Sequence, residues 1–231
     1  MSPPRVLVVI QARAGSTRLP GKVLADLGGR PMLQLQLERL ASLPYGPIVV
    51  ATTDGAIDDP VADLALNAGA QVVRGPEHDV LGRFAMVLER FPTDTLVRLT
   101  GDCPLSDPAI VAAVVDLHHR SAVGYTSNVH PRTFPRGLDV EVVTAVALDD
   151  AARSATDPYD REHVMPYLYR DPEAIPIANL DSGRDLGALS WTVDTADDLT
   201  HVRRIVAELA DPQSAGWREI LAVPGAGSPI S

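Results

Sequence analysis

Residues 6–22 read VLVVIQARAGSTRLPGK and carry the strongest local signals of the fold. The first five of these residues are apolar and mostly β-branched, which is typical of a buried strand. The loop that follows contains two glycines, two hydroxyl side chains and three cations. Gly15 and Gly21 allow sharp turns and a close approach of the backbone, and amides around Ser16 and Thr17 can surround an anion. A strand that ends in such a loop predicts the first βα unit of an α/β fold, with a polyphosphate site at its end.

The spacing of this loop excludes two common phosphate-binding motifs. A P-loop has four residues between its glycines and then Lys followed by Ser or Thr. Here five residues separate Gly15 from Gly21, and Val23 follows Lys22. The dinucleotide fingerprint G-x-G-x-x-G is also absent. A plain basic loop in solvent is the alternative, but the net charge of the chain is -10, which makes three cations in one loop a local exception.

The composition is that of a globular α/β protein, with 231 residues of which 45% are hydrophobic. We expect a single domain over residues 1–223, with an excursion at about 131–190 and a flexible tail over 224–231. The single cysteine, Cys103, excludes an internal disulfide framework and favours a cytoplasmic location. No apolar run approaches the roughly 20 residues that span a bilayer. The acidic balance argues against a nucleic-acid partner.

Strand and helix patterns alternate through the first two thirds of the chain. Further buried runs occur at 48–53, 71–73 and 96–100, and helical segments at 31–43, 59–69 and 79–91. This alternation predicts βαβ units, and therefore a Rossmann-like, mostly parallel sheet with helices on both faces. After Gly124 the pattern changes. Residues 138–142 alternate like a half-exposed strand, and residues 189–193 read as a late strand before a capping-box pattern at Thr195.

Two polar clusters accompany the loop at the ends of predicted strands. Thr100, Gly101 and Asp102 follow the fourth strand, and Asp194 follows the late one. Ligands of open α/β sheets bind at the carboxyl ends of the strands, so we expect both aspartates to lie opposite the loop. Two carboxylates facing a polyphosphate suit Mg²⁺. Each aspartate alone also has a structural explanation, because Asp102 can brace a turn and Asp194 can cap the helix that follows.

Several motifs occur in a fixed order along residues 6–205. They are Q-A-R-x-G-S-T-R-L-P-G-K at 11–22, Ala51-Thr52-Thr53-Asp54, Arg74-Gly75 with Asp79-Val80-Leu81, Thr100-Gly101-Asp102-Cys103-Pro104-Leu105, Pro135-Arg136-Gly137-Leu138-Asp139-Val140-Glu141, Arg161-Glu162-His163-Val164, and Thr192-Val193-Asp194-Thr195. In these motifs the chain resembles the sugar-acid cytidylyltransferases, most closely the SpsF type linked to spore-coat polysaccharide synthesis. Relatives of that type activate N-acylneuraminate and deoxy-octulosonate. Two positions depart from the pattern: Gly82 stands where a polar residue is more common, and Met165 where a threonine is usual.

The resemblance implies the nucleotide-diphospho-sugar transferase fold and transfer of CMP from CTP to a sugar acid, with release of pyrophosphate. It implies Lys22, Arg13 and Asp102 as catalytic residues and Mg²⁺ held by Asp102 and Asp194. The residues implied to bind the nucleotide are Gln11, Ala12, Arg13, Ala14, Gly15, Ser16, Lys22, Thr52, Thr53, Arg74, Asp79, Thr100 and Gly101. Those implied to face the acceptor are Arg136, Asp139, Glu141, Arg161, Glu162 and His163. A homodimer through the arm at 131–190 and a role in surface polysaccharide or glycoconjugate synthesis are implied as well.

Three other functions stay open at this point. A nucleotide-sugar glycosyltransferase on the same fold often carries Asp-x-Asp after the fourth strand, where this chain has Asp102-Cys103-Pro104. The second is a nucleotidyltransferase that acts on a phosphate or phosphonate acceptor and uses another nucleoside triphosphate. A nucleotide-binding regulator without catalysis is the third. Cytosine rests on the resemblance alone, because no residue pattern specifies it over another base.

Overall fold

The structure is a computed structural model, and it describes residues 4–171 and 173–227. Within these ranges seven strands form one sheet. The strands are β1 (Val6–Gln11), β2 (Val49–Thr53), β3 (Gln71–Gly75), β4 (Thr95–Thr100), β5 (Tyr125–Ser127), β6 (Glu141–Thr144) and β7 (Ile177–Asn179). The α-helices are α1 (Met32–Leu40), α2 (Asp59–Asn67), α3 (Val80–Arg90), α4 (Pro108–Ser121), α5 (Ala145–Ser154), α6 (Pro158–His163), α7 (Pro166–Tyr169), α8 (Ala196–Glu208) and α9 (Trp217–Ala222).

The strand order in the sheet is β3-β2-β1-β4-β6-β5-β7. All strand pairs are parallel except those that β6 makes with β4 and with β5. The predicted mostly parallel Rossmann-like sheet is therefore confirmed. The order of the strands reverses between β1 and β4, whose last residues Gln11 and Thr100 lie opposite each other. The loops that leave these two residues flank one crevice, which is where open α/β sheets bind ligands.

Helices cover both faces of the sheet, as the alternation of the sequence predicts. Successive side chains of a strand point to opposite faces. Val8 and Ile10 accordingly belong to the core formed with α1, α2, α4 and α8, whereas Leu7 and Val9 belong to the core formed with α3, α5 and α7. All four side chains are buried, which explains the uninterrupted apolar run at the start of the chain.

Two strand predictions differ from the structure. The segment predicted at 138–142 becomes strand only from Glu141 onward. The segment 189–193 is not a strand of the sheet, and it makes only an isolated bridge between Arg136 and Ser190. The place beside β4 is taken by β6, so the late segment crosses the end of β4 instead. Val193 N–H donates to Asp102 O at 2.9 Å, and this bond brings the two aspartate-bearing segments together.

The C-terminal tail also differs from expectation where the structure describes it. Residues 224–227 form a turn, Ala226 is fully buried, and its carbonyl accepts a hydrogen bond from Trp191 Nε1 at 3.0 Å. These residues are held because the indole nitrogen of a buried tryptophan needs an acceptor. Residues 228–231 lie outside the described ranges. No helix among the described residues is long and apolar enough to cross a membrane.

Candidate active site

The loop after β1 folds back on itself before it reaches Lys22. Ala14 O accepts hydrogen bonds from the N–H groups of Ser16 and Gly21, each at 2.8 Å. Gly21 adopts a φ of 70°, in the left-handed region that glycine tolerates and other residues rarely adopt. A 3-10 turn, Lys22–Leu24, starts immediately afterwards. The glycine therefore sets the point and the direction in which Lys22 leaves the loop.

A buried carboxylate fastens this loop to the neighbouring strand. The N–H of Ala14 donates to Asp58 Oδ1 at 2.5 Å, and the Thr53 hydroxyl donates to Asp58 Oδ2. Asp58 is 1% exposed. Thr53 is expected to bind the nucleotide, but its hydroxyl binds Asp58 and so helps to position the loop. Thr52 beside it is fully buried. Neither threonine reaches the crevice, because both point into the protein from β2.

Lys22 lies between the two aspartates. Its Nζ is 2.7 Å from Asp194 Oδ1 and 3.6 Å from Asp102 Oδ2, and Arg18 Nη2 is 3.0 Å from Asp194 Oδ2. Burial by itself raises the pKa of Asp194, but the hydrogen bond and charge of Lys22, joined by Arg18, lower it below its ordinary value. The loop, the end of β4 and the segment before α8 thus converge on one charged cluster.

This cluster borders a polar cleft of about 330 Å³. The cleft is lined by Gln11, Ala12, Arg13, Ser16, Thr17, Arg18, Lys22, Val23, Arg98, Thr100, Gly101, Asp102 and Asp194. The structure therefore brings together the expected catalytic and metal-binding residues and about half of the expected nucleotide-binding ones. Arg13 is also paired with Glu77, whose Oε1 is 3.1 Å from Arg13 Nη1. Ala14 and Gly15 shape the loop without lining the cleft.

Asp102 and Asp194 offer the donor set that a magnesium ion needs. Both carboxylates already accommodate a cation between them, the ammonium of Lys22. In the described parts of the chain no group of three or more His, Cys, Asp or Glu side chains is placed to hold a metal. Two carboxylates suffice for Mg²⁺, which is usually bound by one or two carboxylates together with substrate phosphates and water. The residues present therefore fit a magnesium nucleotide.

Three expected ligand-binding residues are engaged elsewhere. Arg74 donates to Thr53 O and Gly55 O, each at 2.9 Å, and so braces the turn after β2. Arg161 binds Asp79 with two hydrogen bonds of 2.9 and 2.8 Å. Burial by itself raises the pKa of Asp79, but Arg161 lowers it below its ordinary value. Asp79 and Arg161 thus fasten α6 to the start of α3, and neither lines the cleft, contrary to expectation.

The pairing of Asp79 explains one departure from the family pattern. Asp79 Oδ1 accepts a hydrogen bond from the Gly82 N–H at 2.9 Å, which caps the amino end of α3. A Cβ at position 82 would overlap the Asp79 carboxylate. Glycine is therefore required at this position as long as Asp79 keeps its place against Arg161.

The other expected acceptor residues are not among those that line the cleft. Asp139 binds Arg132 with contacts of 2.6 and 2.7 Å, and this hydrogen bond raises the pKa of Arg132 despite burial. The His163 ring lies 4.3 Å from the Tyr159 ring. Arg136 is exposed, Glu162 is exposed, and Glu141 is paired with Arg98. Their assignment to the acceptor stays a prediction.

Arg98 is a charged lining residue outside the loop that could not be found from the motifs. It lies in β4 two positions before Thr100, so both side chains point to the same face of the sheet. Its guanidinium donates to Gln11 Oε1 from Nε and Nη2 at 3.3 and 3.1 Å. The signal was available, because an arginine inside a buried strand requires a partner or a ligand.

Comparison with known proteins gives the cleft its context. Residues 7–196 match the family model described as Cytidylyltransferase. The spore coat polysaccharide biosynthesis protein SpsF of Bacillus subtilis is 31% identical over 94% of this chain and 92% of its own. The 3-deoxy-manno-octulosonate cytidylyltransferase of Methylococcus capsulatus is 31% identical over 96% of this chain and 89% of its own. A cytidylyltransferase structure from Leptospira borgpetersenii, 32% identical, superposes with a TM-score of 0.90 over 94% of this chain and 92% of that one. The chain belongs to the cytidylyltransferase family and is a nucleotidyltransferase.

Proposed function

We propose that the protein transfers CMP from CTP to a sugar acid, releases pyrophosphate and uses Mg²⁺ held by Asp102 and Asp194. One observation carries this proposal. The Lys22 ammonium lies between the two carboxylates at the end of a glycine-containing loop, inside a polar cleft. Such an arrangement offers cations and backbone amides to phosphates and carboxylates to a metal.

In the proposed reaction a hydroxyl of the acceptor attacks the α-phosphorus of CTP, and pyrophosphate leaves. Lys22 and Arg13 stabilise the negative charge that develops on the leaving group, and the loop amides orient it. Asp102 and Asp194 would hold Mg²⁺, which would supply Lewis-acid stabilisation of the phosphate oxygens when bound. Asp102 is oriented in advance, because its Oδ1 accepts a hydrogen bond from the Thr100 hydroxyl. The protein thus contributes mainly positioning and electrostatic stabilisation.

The class of acceptor rests on the relatives. The Methylococcus capsulatus protein is named for 3-deoxy-manno-octulosonate, a sugar acid, and the Bacillus subtilis protein for spore coat polysaccharide biosynthesis. We extend both to this chain as a sugar-acid acceptor and a role in surface polysaccharide or glycoconjugate synthesis. We also propose a homodimer through residues 131–190, where Tyr159 is 55% exposed. A sedimentation measurement that shows only monomer at high protein concentration would contradict the dimer.

The test of the proposed function is a pyrophosphate assay over a matrix of substrates. Each of the four nucleoside triphosphates is combined with Mg²⁺ and with sugar acids, neutral sugars and sugar phosphates. We expect release with CTP and a sugar acid, loss of release on chelation, and recovery when Mg²⁺ is returned. CTP binding without turnover on any acceptor would favour a regulator instead.

Asp102→Asn provides the matched variant, because it removes the charge and keeps the shape. We expect it to abolish pyrophosphate release without lowering the melting temperature. Asp63→Asn on the exposed face of α2 serves as its control and should behave as wild type. Near-normal turnover of Asp102→Asn would overturn the assignment of this carboxylate.

A further inference from the structure

Arg98 occupies a separate part of the cleft from the phosphate loop. It lies on β4, and its side chain shares a face with Thr100, whose hydroxyl donates to Asp102. Two residues of a strand span about 7 Å, so Arg98 stands deeper along β4 than the carboxylates between which Lys22 lies. When the loop and Asp102 hold the nucleotide, the region in front of Arg98 therefore remains available for the acceptor.

The guanidinium of Arg98 is held in place by two neighbouring side chains. Gln11 Oε1 accepts from its Nε and Nη2, and its Nη1 pairs with Glu141. Glu141 is fixed in turn, because its Oε1 accepts a hydrogen bond from the buried Tyr125 hydroxyl at 2.7 Å. A guanidinium has five N–H donors, and these partners use three of them. The side chain is 13% exposed, and that exposed part borders the cleft.

A purely structural role does not account for this arrangement. Arg98 and Glu141 are directly opposed residues of β4 and β6, and such cross-strand charge pairs do stabilise sheets. A structural role also accounts for the bonds to the Gln11 side-chain amide oxygen, because buried N–H groups need acceptors, but it does not require the guanidinium to border the cleft. Gln11 and Glu141 orient the planar guanidinium. A guanidinium can recognise a carboxylate with two parallel hydrogen bonds.

The other cations near the site do not serve this purpose. Arg13, Arg18 and Lys22 line the cleft but belong to the loop that faces the phosphates. Arg161 is bound to Asp79, and Arg136 does not line the cleft. Among the cleft-lining residues that the structure describes, Arg98 is the cation outside the loop.

We propose that Arg98, oriented by Gln11 and Glu141, binds the carboxylate of the acceptor and makes the enzyme select a sugar acid over a neutral sugar. The inference rests on the proposed transfer of CMP and names the residue that reads the acceptor. Glu141 is then a positioning residue for Arg98, not a direct contact of the acceptor. The attacking hydroxyl of the acceptor lies toward Asp102 while its carboxylate faces Arg98.

The test compares kinetic constants for the two substrates separately. Pyrophosphate release is measured with 3-deoxy-manno-octulosonate, N-acetylneuraminate, their carboxamides, neutral hexoses and hexose phosphates as acceptors. In the wild-type enzyme the carboxamide should have a KM at least about 10-fold higher than the acid, since hydrogen bonds between charged groups exceed those to neutral ones. Arg98→Lys should raise the KM for the acid about 10- to 100-fold and leave the KM for CTP unchanged.

Two further variants separate recognition from folding. Arg153→Lys makes the same exchange at an exposed arginine of α5 and should change neither constant. In Arg98→Gln/Glu141→Gln the paired charges are replaced together, which avoids a buried unpaired carboxylate. This double variant should melt near the wild-type temperature and lose the preference for the acid over its carboxamide.

Each outcome decides the proposal. An unchanged KM for the acid in both Arg98 variants overturns it. Turnover by wild type of neutral or phosphorylated acceptors in preference to acids also overturns it and leaves the nucleotidyl transfer standing. Absence of pyrophosphate with every acceptor and every nucleotide overturns the proposed function, and the assignment of Arg98 with it.

Discussion

Lys22 Nζ lies 2.7 Å from Asp194 Oδ1, although the two residues are 172 positions apart in the chain. The contact joins the loop after β1 to the segment before α8, and Asp102 Oδ2 is 3.6 Å from the same ammonium. The Lys22 side chain is 12% exposed, so this cation is held in place and only partly hydrated. Charges in such a position act more strongly on a ligand than surface charges do.

Lys22→Met should lower kcat about 10²- to 10³-fold, the usual effect of losing one preorganised group that stabilises developing charge. The protein should still fold, because Arg18 continues to pair with Asp194. Pyrophosphate release at saturating CTP and thermal melting measure the two properties. Arg120→Met on the exposed side of α4 is the control for loss of a long cation. Turnover of Lys22→Met within threefold of wild type would exclude Lys22 from the reaction.

Asp58→Asn should weaken CTP binding although Asp58 does not touch the cleft. The substitution replaces the charged acceptor of the Ala14 N–H and of the Thr53 hydroxyl. Hydrogen bonds to charged groups contribute about 1.5–3 kcal/mol, so we expect a comparable loss of unfolding free energy together with a higher KM for CTP. Urea denaturation and initial rates give both values. Asp116→Asn, an exposed carboxylate of α4, is the control. An unchanged KM for CTP in Asp58→Asn would show that the anchor formed by Asp58 is not needed for CTP binding.

Gly82→Ala should destabilise the protein, contrary to the usual effect of removing a helical glycine. Ala is favoured over Gly in helices by about 1 kcal/mol. At this position the new Cβ would overlap the Asp79 carboxylate that Arg161 holds. Forced overlaps of this kind cost about 1–3 kcal/mol, so we expect a net loss in urea denaturation. In an Asp79→Ala background the same change should become neutral or stabilising. Equal costs in both backgrounds would show that the two positions are not coupled.

The stability of the protein should fall on acidification through the titration of His118. His118 is buried, and burial together with the charge of His119 lowers its pKa from 6.5 to about 4. Between pH 6.5 and about 4, His118 therefore binds a proton in the unfolded chain but not in the folded protein. The contribution of neutral His118 to the free energy of unfolding is fully present above pH 6.5. It decreases by up to about 3 kcal/mol as pH falls toward 4.

The variant His118→Gln should flatten this part of the pH profile, since an amide does not titrate and can still bind the Thr126 hydroxyl, which lies 3.0 Å from His118 Nδ1. His78→Gln, at an exposed position, should leave the profile unchanged. Urea midpoints at several pH values between 4 and 7.5 provide the measurement. A profile for His118→Gln that retains the wild-type slope would assign the acid sensitivity to other groups.

Much of the fold could be predicted because its signals are local. The apolar run before Gln11, the alternation of strands with helices and the glycines of the loop act within a few residues of one another. The convergence of the loop with Asp102 and Asp194 followed from the rule that strand ends share one edge of the sheet. The prediction of a strand at 189–193 is wrong because a buried apolar run has the same sequence pattern whether it pairs in a sheet or packs across its end.

Side-chain pairing could not be predicted in the same way. Arg161 and Asp79 meet only because α6 packs against α3, and their partnership removes both from the cleft. Arg98 was read as part of a strand, and its place beside Gln11 depends on the register of β1 with β4. Which charges find each other is decided by tertiary packing, and motif order alone carries no information about it.

Lys22 is the single lysine of the chain, since every other basic side chain among the 20 Lys and Arg residues is an arginine. An amine-directed reagent will therefore modify the side chain of Lys22 and, apart from it, only the terminal amine. The same ammonium lies between two carboxylates in the cleft. Labelling of Lys22 therefore gives a chemical readout of site occupancy. A nucleoside triphosphate that enters the cleft will slow the modification, whether or not an acceptor is known. The cleft can thus be titrated with ligands before its acceptor has been identified.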